Sequence, residues 1–111
     1  MFARLEYVHT PQRKEDFLDK VRHEILPILK AQKGFIDLIP FVPECAISFG
    51  RVEKVLSISL WADKVDAERY EQDVFPRVQE ILGPFLTNPT TIKSYTVEAA
   101  LSEHLAKTIA A

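Results

Sequence analysis

Residues 35–42 and 52–61 constrain this chain most, because both read as short strands and together they offer apolar side chains to both sides of a sheet. In the first, Phe35, Ile39 and Phe41 are assigned to one face and Ile36, Leu38 and Val42 to the other. In the second, Leu56, Ile58 and Leu60 share a face, with Ser57, Ser59 and Trp61 opposite. A sheet that is apolar on both sides needs cover on both, and one layer of helices covers only one.

The remainder of the sequence supplies two strands and two principal helices. Residues 2–8 alternate Ala3, Leu5 and Tyr7 with Arg4 and Glu6, the period of a strand. Thr10-Pro11 reads as an N-cap followed by proline at the first helical position. A helix is predicted over 11–33, with Phe17, Val21, Ile25, Ile28 and Gln32 on one face, Gly34 terminating it and Pro27 kinking it. Residues 43–51 form a connection. Asp63 is placed to cap the next helix, with the Asp66 carboxylate at its positive end. Its stripe, Ala67, Tyr70, Val74, Val78, Ile81 and Phe85, runs through Pro76, which predicts a break near 73–76. Gly83-Pro84 and Asn88-Pro89 end it, residues 91–98 form a fourth strand, and Leu101, Leu105 and Ile109 give residues 99–111 a helical tail.

The order β-α-β-β-α-β predicts an α+β, ferredoxin-like domain over residues 1–98, with a four-stranded antiparallel sheet and both helices on one face. The bare second face predicts a homodimer in which two sheets meet in a barrel-like arrangement. Size agrees with this, since a monomer of 111 residues hides only about 65% of its unfolded surface. A net charge of −2 and three glycines argue against nucleic acid and against glycine-rich phosphate loops. The single cysteine, Cys45, permits no internal disulfide, and no leader pattern or apolar run of about 18 residues is found, so a cytoplasmic protein without a membrane span is expected.

Particular stretches also resemble a known family. The strand ending Ser57-Ile-Ser-Leu-Trp61, the acid-capped helix Ala62-Asp-Lys-Val-Asp-Ala-Glu-Arg-Tyr70 and the helix end Leu26-Pro-Ile-Leu-Lys-Ala-Gln-Lys-Gly34-Phe35 resemble the antibiotic biosynthesis monooxygenase-like family of dimeric α+β barrels, over residues 2–98. The resemblance implies a homodimer with one pocket per subunit, between the sheet and its own helices. Family members include cofactor-free oxygenases of polycyclic phenols, quinol oxygenases and haem-degrading enzymes. The haem branch's Trp and His positions hold Tyr70 and Glu80 here, and the only asparagine is Asn88, so its iron ligation does not carry over. Of the polyketide-oxidising branch's residues, the strand-end Trp is matched by Trp61, whereas Ser57, Ala67 and Ile81 stand at the Asn, Tyr and Arg positions.

Tyr70, on the inward stripe, and His9, at a strand end, are the candidate catalytic residues for handling a proton. Their plain alternatives are a core tyrosine bonded to a strand carbonyl and a surface turn histidine. Trp61, Ser57, Arg4 and Glu6 are candidate substrate-binding residues: Trp61 to wall a pocket or donate its indole N–H, Ser57 (beside Ser59) to leave space next to it, Arg4 and Glu6 to line a cavity or pair at the rim. Asp37 is a further charged strand residue. His23 and His104 lack ligand spacing, Cys45 lacks a nearby cation, and no metal is expected. The expected activity is cofactor-independent oxidation of a small aromatic or quinol-type compound. Alternatives are a non-catalytic ligand-binding or interaction dimer, and an isomerase or cyclase using His9 or Glu6.

Overall fold

A computed structural model describes residues 1–8, 14–44, 47–48, 51–52, 55–85 and 90–110. The Thr10-Pro11 cap, His9 and Cys45 lie outside the described residues.

Four strands, β1 (Phe2–Val8), β2 (Phe35–Phe41), β5 (Val55–Trp61) and β6 (Thr91–Thr96), form an antiparallel sheet in the order β2-β5-β1-β6. This is the ferredoxin-like arrangement predicted from the element order. Between β2 and β5 the expected connection contains a short ladder, β3 (Ile47–Ser48) with β4 (Arg51–Val52), so β5 starts at Val55 rather than at 52. The fourth strand ends at Thr96, two residues before the predicted limit.

The first helical segment comprises α1 (Lys14–Lys20), a π-helical stretch (Val21–Ile25) and α2 (Leu26–Lys30). Pro27 does not snap this helix. The amide of Leu26 donates to the Val21 carbonyl five residues back, so a wider turn runs up to Pro27, whose missing donor falls at the start of α2. The helix ends at Lys30 rather than at 33. Residues 31–33 turn toward β2, with Gln32 Nε2 donating to the Ile28 carbonyl at 3.0 Å.

The second segment breaks where proline predicts. Val74, at φ −120°, separates α3 (Lys64–Asp73) from α4 (Phe75–Leu82), and Pro76 lies in the first turn of α4. Asp63 occupies the N-cap with extended backbone, yet its side chain makes no capping bond; its carbonyl accepts the amides of Asp66 and Ala67 instead. Past β6 come a 3₁₀ turn (Ala99–Leu101) and α5 (Glu103–Ala110), the tail helix.

Helices cover one sheet face, and the core forms there from Phe2, Phe17, Ile25, Leu29, Trp61, Tyr70, Phe75 and Val78. A register shift between Phe35 and Asp37 turns Phe35 to this side, where it meets Trp61 at 5.5 Å between ring centroids. The predicted grouping of Phe35 with Ile39 and Phe41 is thereby corrected. The other face carries Leu5, Tyr7, Leu56, Ile58, Ile39, Phe41 and Tyr95 by strand alternation. Phe41 and Tyr95 on it are each 50% exposed.

Gly34 has φ +82°, and a β-carbon there would clash with Asp66 Oδ2, part of a buried carboxylate that also accepts from Arg69. Gly34→Ala is expected to lower the unfolding free energy by about 1–2 kcal/mol for the left-handed backbone, with a further loss for displacing Asp66. Gly83→Ala, which meets no atom within 4 Å, should be neutral or stabilising by up to about 1 kcal/mol. Urea unfolding of both variants checks this, and equal midpoints would refute the Gly34–Asp66 account.

Candidate functional site

Strand pairing brings the predicted polar residues together. Arg4 stands opposite Ser59 and Ser94, and Glu6 opposite Ser57 and Ile92, so Arg4, Glu6, Ser57 and Ser59 all project toward the helices. Opposite residues with short side chains leave room for a guanidinium inside the helix layer.

Arg4 is 1% exposed. Its Nη1 is hydrogen-bonded and ion-paired to Glu6 Oε1, and its Nη2 lies 3.8 Å from Glu71 Oε1. The guanidinium carbon sits 4.0 Å from the Phe75 ring centroid and 5.3 Å from that of Tyr70, so two aromatic faces share its charge. Burying such a cation is tolerated only where pairing offsets its lost hydration.

Beneath this pair the aromatic side chains form a stack. Trp61 is fully buried, lies 5.0 Å from Tyr70 between ring centroids and contacts Phe35; Tyr70 in turn meets Phe75 at 6.1 Å. The indole N–H donates to Ser59 Oγ at 3.0 Å, and Ser59 donates to the Arg4 carbonyl at 3.4 Å. Trp61 therefore holds the wall in place with its only donor already engaged.

Glu6, Ser57, Ser59 and Tyr70 line a cleft between the sheet and the two helical segments, with Phe17, Val21, Ile25, Leu38 and Val78 among its apolar walls. Its cavity volume is about 30 Å³, which admits water-sized occupants. Burial raises the Glu6 carboxyl above its ordinary value; the charge and hydrogen bond of Arg4 oppose the shift and Glu71 adds to it. Burial also raises Tyr70, and the Glu6 charge reinforces this against the pull of Arg4. The phenol thus stays protonated at neutral pH, and burial favours the neutral form of Glu6 while Arg4 favours its charged form.

The other candidates lie elsewhere. Asp37 is exposed, on the strand face away from the helices, and accepts from the amide of Leu38 at 2.8 Å; His23 is exposed with Nδ1 at 2.8 Å from the Asp19 carbonyl. Among the described residues no group of three or more His, Cys, Asp or Glu is arranged to hold a metal ion. Two participants escaped sequence reasoning, Glu71 and Phe75. The helical stripe pointed to Val74, which packs half-buried against the core, and the change of phase at the break buries Phe75 beside it.

No family model matches the chain, and no curated protein matches it. Solved structures do. A mutant form of SnoaB, a cofactor-independent oxygenase from Streptomyces nogalater, aligns with a TM-score of 0.69 at 14% identity, covering 92% of this chain and 97% of its own. The monooxygenase of the gene ActVA-Orf6 of Streptomyces coelicolor, determined with the ligand nanaomycin D, gives 0.64 at 14% identity, covering 87% and 86%. A provisionally named antibiotic biosynthesis monooxygenase from Bordetella bronchiseptica gives 0.65 at 12% identity, covering 86% and 95%. At these identities the likeness is one of architecture. The chain has the ferredoxin-like α+β fold of the antibiotic biosynthesis monooxygenase-like proteins.

Proposed function

We propose that the protein is a cytoplasmic, cofactor-independent monooxygenase-like enzyme acting on a small aromatic or quinol-type compound in the cleft under the first helical segment. The observation that carries this reading is the pairing of a raised, buried carboxylate, Glu6, with a protonated buried phenol, Tyr70, in one apolar cleft. The names of the two Streptomyces structures support the reaction class.

In this reading Glu6 removes a proton from an activated ring carbon, and Tyr70 and Ser57 donate to the oxygen on which negative charge develops. The carbanion transfers its electrons to dioxygen, forming a carbon–oxygen bond. Glu6 returns the proton to the peroxide, which loses water to leave a carbonyl. One oxygen atom stays in the product and the other leaves in water, so a methylene plus O₂ becomes a ketone plus H₂O. Arg4 keeps Glu6 in place, and Trp61 supports Tyr70. A ring-sized substrate requires the wall containing the π-helical stretch to move outward, a place where the helix departs from regular bonding. His9, outside the described residues, is a second proton carrier in this scheme.

The same proposal includes a homodimer. The exposed apolar face of the sheet, with Ile39, Phe41 and Tyr95, gives a second copy the surface it needs, and residues 99–111 are a helical tail beside the 1–98 domain. The second reading, a non-catalytic small-ligand-binding or interaction dimer, draws on the small volume of the cleft and the exposed apolar side chains of the sheet.

Oxygen uptake with a panel of anthrones and quinols distinguishes these readings. The wild type should consume one O₂ per substrate, Glu6→Gln should lose about 10²–10⁴-fold in rate, and Tyr70→Phe at least about tenfold. Absence of uptake across the panel would favour the ligand-binding dimer. Stability should respond to pH through Glu6. Because its folded pKa is raised, the protonated carboxyl contributes stability that is fully present below the ordinary value of 4.5 and is lost as pH rises through the folded value. Relative to Glu6→Gln, the wild type should therefore lose stability as pH climbs from 4.5, and a constant difference would contradict the burial assignment. Sedimentation should give a dimer, and Phe41→Asp should shift it toward monomer; a monomeric wild type would end the two-sheet proposal.

A further inference from the structure

Arg4 separates two spaces. Its Nη1 side faces Glu6 and the cleft, whereas Nε and Nη2 are buried and have no hydrogen-bond partner among the described residues. Nη2 points toward Glu71, which lies beyond hydrogen-bond reach and forms part of a second depression, a groove between α3 and β6 with a volume of about 420 Å³. Arg4 itself lines that groove. Buried donors left without acceptors are uncommon, and a guanidinium has no way to lose its proton to escape the deficit.

The groove's chemistry narrows the occupant. One wall is apolar, from Phe2 and Ala67, and the opposite edge presents the exposed Ser94 and Thr96 of β6. Lys64 is already 3.7 Å from Glu68, and Arg4 already faces Glu6 and Glu71. Within the groove the carboxylates of Glu68 and Glu71 balance the two cations, so a further anion would gain no net attraction. A neutral oxygen acceptor satisfies Nε and Nη2 without adding charge. We propose that the α3–β6 groove is a second binding site, for a neutral, flat molecule whose carbonyl oxygen accepts from Arg4 Nε and Nη2 while its ring lies on Phe2 and Ala67. Entry requires the half-exposed Glu71 side chain to swing aside. This site is separate from the cleft, and it stands whether or not the cleft is catalytic.

Chromone, a neutral bicyclic ketone, is a suitable probe, with chromane as the same skeleton without the carbonyl and chromone-2-carboxylate as the anion. In ¹⁵N-labelled full-length protein, chromone should saturably shift the Arg4 Nε–H resonance together with the Ser94 and Thr96 amides. Chromane should bind at least about tenfold more weakly, and the carboxylate no more tightly than chromone. Thr96→Tyr, at an exposed edge-strand position, should fill the groove and abolish the Arg4 response while leaving the rest of the spectrum folded. The proposal is overturned by the absence of saturable shifts at these resonances, by equal binding of chromane, by tighter binding of the carboxylate, or by an undiminished response in Thr96→Tyr.

Discussion

The buried guanidinium of Arg4 is the interaction on which the interior is arranged. A cation at 1% exposure must recover its hydration from neighbours, and those neighbours come from three elements: Glu6 on the same strand, Glu71 on α3 and Phe75 on α4. The contacts with Glu71 and Phe75 tie two helices to the sheet. Ser59 and Ser94, across from Arg4 on the flanking strands, are small enough to admit it. Removing one member of such a buried pair typically costs about 3–5 kcal/mol, because the other charge is left unmatched. Arg4 also limits the upward shift of Glu6, since its charge opposes the effect of burial.

The sheet divides its labour unevenly. The side under the helices mixes polar groups with the apolar core, which is the arrangement a binding cleft uses: few polar atoms in apolar surroundings, where each hydrogen bond and charge counts for more than in water. The side away from the helices is the more uniformly apolar one, and Phe41 and Tyr95 on it stay half exposed in a single copy. The polar residues are therefore covered and part of the apolar surface is open. This follows from strand parity, because Arg4 and Glu6 share a face that Leu5 and Tyr7 cannot occupy.

Two prolines show how far local rules reach. Both remove a helical donor, and the sequence predicts a disturbance at each. At Pro76 the chain leaves helical geometry at Val74, which rotates Phe75 into the core and against Arg4. At Pro27 the preceding residues widen into π geometry instead, keeping Val21, Ile25 and Leu29 along the cleft. Both outcomes repair the same defect, and the choice depends on what the helix packs against. Glu71 and Phe75 were illegible for this reason. Glu6, Ser57 and Tyr70 were legible because strand alternation and helical stripe place them without knowledge of the neighbours, and they meet along one cleft.

The sequence by itself determined the order of strands and helices, the two disturbed helices and the inward placement of Tyr70, with Arg4 and Glu6 on a shared strand face. These depend on short-range periodicity and on backbone sterics, which act within a few residues. Only the tertiary structure decided that Phe35 crosses to the helix face, that the indole of Trp61 is held by Ser59, that burial raises both Glu6 and Tyr70, and that two donors of the buried Arg4 are left without a hydrogen-bond partner among the described residues. Burial, charge proximity and donor satisfaction arise between residues distant in the chain, so they come into being only when the sheet and helices close on one another.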